Sequence, residues 1–190
     1  MIVEVRCRGG QDFYDDVMGL RQDLGYRPGL PNPVQRGFQA LGATKPGSWF
    51  FQRTLYRIDR PLHRWTDGKV TVPGVVIGIP VILLTTTGAK SGLERTMPVM
   101  GVPFGDAIAV IGTNYAQPKA PSWVFNLEAN PEATIRWRDR TVQVTARAAT
   151  EEERDVVWSR AAMLYRGFAA YRVRITERPV RIFVLDPRRP

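Results

Sequence analysis

The pattern of apolar and polar positions changes period twice along this chain. Between Ser48 and Trp65, Phe51, Leu55, Ile58, Leu62 and Trp65 recur at steps of four, three, four and three, which is one face of a helix. Arg53, Arg57, Arg60 and Arg64 repeat on the opposite side. Ser48 is placed to cap this helix and Pro61 to kink or break it. From Lys69 the pattern turns to short strands. Val75 to Thr86 is long and nearly all apolar, as a central strand requires. Thr96–Phe104 and Ala107–Thr113 predict a hairpin around Gly105-Asp106, and Ala133–Trp137 and Thr141–Ala148 a second around Asp139. In the last arm Val142, Val144, Ala146 and Ala148 alternate with polar residues, so one face is buried. Helical signals then return. Ser122–Ala129 follows Pro121 and stops at Asn130-Pro131. Thr150 with Glu153 three residues on forms a capping box that predicts a helix to about Tyr165. Val180–Leu185 reads as a closing strand.

These elements predict a mainly β chain with helices (α+β). About six strands, mostly antiparallel, close into a small barrel under two or three helices, with an N-terminal amphipathic helix besides. Residues 1–43 are expected to form an extension and 44–190 the barrel domain. Gly9-Gly10, Pro28-Gly29 and Pro31-Asn32-Pro33 interrupt any long element early in the chain. That stretch is expected to be loosely held, with one short helix around Phe13–Leu24.

Composition narrows the chemistry. With 190 residues and 44% hydrophobic positions, the chain suits one domain with a real core. Net charge is +9, from 27 basic and 18 acidic residues, which favours an anionic partner. One cysteine, Cys7, rules out a disulfide within the chain and fits a reducing, cytoplasmic setting. One histidine, His63, leaves no Cys/His zinc site and no metal centre to expect, and Ser-His catalysis would have to use it. The N-terminus carries no secretory pattern, and Val75–Leu84 is too short to span a bilayer. The arginine-rich helix can lie on an anionic membrane surface, or its apolar stripe can pack on the domain with the arginines in water. Nucleic acid is not the expected partner, because the aromatics of Trp49–Trp65 fall partly on the face away from the arginines.

The segment with the most chemistry is Leu83 to Arg95. An apolar strand ends in Thr85-Thr86-Thr87, turns through Gly88-Ala89-Lys90-Ser91-Gly92, and re-enters a strand at Arg95. Glycines let backbone approach a ligand, and Lys and Arg pair with phosphate. The residues fit an anion-binding turn, and equally an ordinary hairpin turn with solvated charges. The turn is not a nucleotide phosphate loop. That loop needs Gly directly before Lys, where Ala89 stands, and Gly92 and Pro98 prevent the helix that must follow.

The run Leu84–Gly92 with Arg95 and Pro98, then Ile111-Gly112-Thr113-Asn114, then Pro121–Pro131 resembles the deazaflavin-dependent nitroreductase and quinone reductase family of split β-barrel flavoproteins. The likeness covers roughly Thr44 to Pro187. It implies coenzyme F420, an 8-hydroxy-5-deazaflavin with a phosphate and an oligoglutamate tail, which in reduced form delivers hydride from ring carbon C5. It assigns Lys90 and Arg95 to the phosphate, with Ser91 and the loop at Thr87, Gly88, Gly92 and Pro98 around them. Thr113 and Asn114 would line the ring through backbone amides. Trp123 and Asn126 would sit by the ring or tail. Family members carry three tyrosines beside the substrate, and the matching positions are Tyr165, Phe168 and Tyr171. The missing middle hydroxyl turns the expected acceptor from nitroaromatic towards an apolar quinone. Met97, Met100 and Ala89 also depart from the family pattern. The remaining readings are an FMN-dependent split-barrel enzyme and a deazaflavin carrier without turnover. A homodimer is compatible with each.

Overall fold

The computed structural model describes residues 19–26, 28–29, 32–33, 35–37 and 78–188. The arginine-rich helix expected at Ser48–Trp65, Cys7 and His63 lie outside the described residues.

The strands are β1 (Val81–Thr87), β2 (Glu94–Met100), β3 (Val102–Phe104), β4 (Ala107–Ile111), β5 (Glu132–Trp137), β6 (Arg140–Ala148) and β7 (Ile182–Pro187). They form one sheet in the order β2-β1-β5-β6-β7-β4-β3, antiparallel at every pairing. The two ends of this order are one continuous piece of chain. β2 pairs with β1, Gly101 intervenes, and β3 pairs with β4. The strand expected over Thr96–Phe104 therefore bends at Gly101 and closes the sheet on itself, which is why seven strands are seen where six were expected. A Cβ at Gly101 would lie 2.7 Å from the Tyr26 hydroxyl and 3.1 Å from Ile108 Cγ2. Glycine is needed here for space.

Tyr26 secures the bend. It is fully buried, its hydroxyl donates to the Gly101 carbonyl at 2.7 Å, and its ring meets Trp137 edge-on at 4.8 Å. With Leu20 of the helical turn α1 (Leu20–Asp23) and Leu24, which caps it, Tyr26 enters the barrel core. The N-terminal stretch expected to be loosely held thus supplies Leu20, Leu24 and Tyr26 to the core.

Period-two alternation sorts the core into two sides. Ile82, Leu84, Ile108, Val110, Ile135, Val144, Phe183 and Leu185 face one cluster with Trp123, Val124 and Leu127 of α2 (Ser122–Ala129). Ala109, Ile111 and Ile182 face the other, under α3 (Glu151–Leu164) and α4 (Gly167–Arg174). β4 is buried on both faces, so all five of its residues are apolar.

α3 starts as predicted. Thr150 Oγ1 accepts from the Glu153 amide and Glu153 Oε2 accepts from the Thr150 amide at 2.9 Å. Glu153 also accepts two bonds from Arg147, at 2.7 and 2.8 Å. The Arg147 guanidinium and the Thr150 amide hold the Glu153 carboxyl at about 2, against an ordinary 4.5. A depressed carboxylate stabilises the fold above its unfolded pKa and loses that contribution as pH falls through the folded one. The melting temperature should therefore drop between about pH 4.5 and 2, and Glu153→Gln should flatten that part of the profile. A thermal-melt series across this window checks it. An unaltered profile in the variant contradicts it.

Candidate cofactor and acceptor site

The β1–β2 turn is built by two glycines with different tasks. The Gly88 amide donates to Leu93 O at 2.9 Å and the Gly92 amide to Gly88 O at 2.8 Å. A Cβ at Gly88 would strike Ser91 Oγ at 2.6 Å, and Gly92 has φ +66°. Lys90 and Ser91 ride exposed at the tip. Arg95 lies opposite Thr86 in the register, so it shares the inner row with Met97 and Val99. That row leaves the core at Arg95, which is exposed. Among the described residues neither Lys90 nor Arg95 is in an ion pair.

Beneath the turn, Asn126 is a buried polar residue on α2. Its Nδ2 donates to Thr86 Oγ1 at 3.0 Å and its Oδ1 accepts from the Ala89 amide at 3.0 Å. The side chain expected beside the ring or tail thus fastens the cation turn to α2. Asn126→Ala leaves a buried hydroxyl and an amide unpaired, at a cost of about 1–3 kcal/mol. Melting temperature and F420 affinity should fall together in that variant. A drop in neither removes the fastening role. Trp123 lies in the core, edge-on to Phe183 at 6.1 Å, and so seats α2. Thr87 ends β1, half-buried, and Pro98 lies exposed in β2 opposite Leu83.

The loop after β4 forms the next wall. Thr113 is buried, and its amide donates back to Ile111 O at 2.9 Å. Asn114, Tyr115 and Ala116 take φ of 47°, 54° and 59°, three successive left-handed residues without a glycine. For Tyr115 and Ala116 this conformation costs about 1–2 kcal/mol each, whereas Asn114 adopts it readily. Two side chains hold the loop. Asn114 Nδ2 donates to Lys119 O at 2.9 Å. Arg178, half-buried, donates to the carbonyls of Gly112, Thr113 and Gln117 at 3.1, 2.8 and 3.2 Å. Burial, then Arg181, lowers the Arg178 pKa, and the three carbonyls oppose that penalty. Arg178 has no signal in the sequence, because its partners lie 61 to 66 positions away.

α4 carries Phe168 and Tyr171, and Tyr165 caps the end of α3 beside them. Tyr165 is 7% exposed, Phe168 6% and Tyr171 3%. Ring centroids stand 5.8 to 6.1 Å apart among them, and Phe168 also meets Trp158 at 5.9 Å. The two hydroxyls lie 3.5 Å apart. Burial raises both tyrosine pKa values, so both hydroxyls stay protonated through neutral pH. The Asn114–Ala116 turn packs against α4. Asn126 thus joins the cation turn to α2, Val124 of α2 lies beside Gly112, and the turn that follows Gly112 packs on the helix that carries Tyr171.

A family model for F420H(2)-dependent quinone reductases matches residues 55–187. The chain belongs to this family. An F420H(2)-dependent quinone reductase of Mycobacterium tuberculosis is 30% identical over 142 residues, 70% of this chain and 91% of that protein. A solved F420-H2 dependent reductase is 37% identical, covers 56% of this chain and 94% of its own, and superposes with a TM-score of 0.52. A second solved chain, a domain-swapped dimer, is 33% identical with a TM-score of 0.54, covering 75% of this chain and all of its own. The split-barrel fold and the dependence on F420 expected of the sequence are those of this reductase family. Among the described residues no helix is long and apolar enough to cross a membrane.

Proposed function

We propose that this reductase passes hydride from reduced F420 to a quinone-like planar acceptor. The observation that carries the site assignment is the pair Lys90 and Arg95, exposed, without a carboxylate partner among the described residues, on a glycine turn fastened from below by buried Asn126. Such a donor set fits a phosphate. The +9 balance fits an oligoglutamate tail as well.

In this reading Lys90 and Arg95 neutralise the phosphate, with Ser91 beside them. Thr113 and Asn114 set the backbone edge against which the ring rests, and Arg178 fixes that edge. Reduced F420, when bound, supplies the hydride. The chain's task is to orient donor and acceptor and to keep water out. Tyr165 and Tyr171 hold their protons tightly, so they stand beside the acceptor as neutral hydroxyls and act poorly as acids. Phe168 is spent on packing and adds no hydroxyl, which favours an apolar quinone over a nitro compound. A homodimer agrees with the swapped relative.

The test is anaerobic turnover with menadione and three donors: reduced F420, reduced FMN and NADPH. Oxidation with reduced F420 alone is expected. Turnover on reduced FMN, with the protein yellow as purified, overturns the proposal.

A further inference from the structure

The three aromatic positions on and beside α4, Tyr165, Phe168 and Tyr171, are all more than nine-tenths buried, which leaves an accessible ring to be sought elsewhere. Tyr115 is such a ring: it is 46% exposed and sits at the middle of the left-handed triplet, with φ 54° and ψ 33°. A tyrosine is poorly suited to this backbone, and glycine would occupy it without strain. The strain is retained because Arg178 and Asn114 pin the loop on both sides. Held, non-glycine strain of this kind concentrates at functional sites. The turn packs against α4, next to the Tyr165–Tyr171 pair. Tyr115 is near enough to Tyr171 to add to the upward pressure on its hydroxyl pKa.

We propose that Tyr115 is the specificity-determining residue of the acceptor site, a ring and hydroxyl offered from the 113–117 loop where the family's middle tyrosine is here Phe168. The ligand is a planar aromatic electrophile, stacked on the exposed Tyr115 ring on the side of the Tyr165–Tyr171 pair. The inference rests on the quinone-reductase reading.

The test titrates menadione calorimetrically into the full chain with oxidised F420 present, so that binding is read without turnover. Parent, Tyr115→Gly and Tyr115→Phe are compared, with melting temperature and F420 affinity measured on each. Tyr115→Gly removes the ring at a φ glycine prefers, so F420 affinity should stay within about twofold and menadione binding should weaken about three- to tenfold. Tyr115→Phe should fall between the two. Equal menadione affinity in the parent and Tyr115→Gly overturns the inference, as does a parent that binds no menadione. Tyr115-dependent binding in a parent that never oxidises reduced F420 leaves the inference standing and removes the proposed reaction. Turnover by the parent with kcat/KM unchanged in Tyr115→Gly does the reverse.

Discussion

Replacing both Lys90 and Arg95 with alanine will cost on the order of 100-fold in F420 affinity while leaving the melting temperature where it was. A charge-assisted hydrogen bond contributes about 1.5–3 kcal/mol, or about 10–150-fold in binding. Both groups are exposed, so solvent places each single variant toward the lower end of that range. Two cations on one phosphate share its charge, so their losses do not simply add. The fold is spared because neither side chain is in an ion pair among the described residues. Parent affinity should also weaken with salt, and the double variant should lose much of that dependence. Fluorescence titration of the coenzyme at two ionic strengths reads both. Unchanged affinity in the double variant makes the turn an ordinary hairpin.

Gly101→Val will have the largest effect on stability. The new side chain starts 2.7 Å from the Tyr26 hydroxyl and 3.1 Å from Ile108, both fully buried. Overpacking a core costs about 1–3 kcal/mol. Displacing Tyr26 also breaks its 2.7 Å bond to the Gly101 carbonyl, and a buried unpaired hydroxyl costs about 1–3 kcal/mol more. The total, about 3–5 kcal/mol, is a large share of the stability of a domain. Tyr26→Phe separates the two parts, because it loses the hydrogen bond and keeps the packing. Chemical denaturation should rank parent above Tyr26→Phe and Tyr26→Phe above Gly101→Val. A Gly101→Val variant as stable as the parent would mean that the bend does not depend on this contact.

The sequence disclosed what is decided locally. The capping box at Thr150, the helix between Pro121 and Asn130, and the hairpins around Gly105 and Asp139 each depend on neighbours a few positions apart. The cation turn was legible for the same reason. What escaped depends on distant contacts. Met100-Gly101-Val102 reads as unbroken strand until Tyr26 is seen to occupy the space beside it. α4 is short, and its apolar positions serve the ring cluster with Trp158, so Phe168 and Tyr171 are visible in the sequence and their helix is not. The left-handed triplet contains no glycine to announce it. Leu20 and Leu24 stand in a stretch broken by glycine and proline, and only the barrel makes them core. Asn126 stands out in the sequence only through the family likeness. The structure adds the two hydrogen bonds that give it a task in holding the turn.

The most direct measurement is an anaerobic titration of reduced F420 into the purified protein, followed by menadione. Saturable binding is expected, then coenzyme oxidation that requires both the protein and the quinone. Binding with no oxidation would make the chain a carrier, and no binding would contradict the assignment of the Lys90 turn together with the reaction.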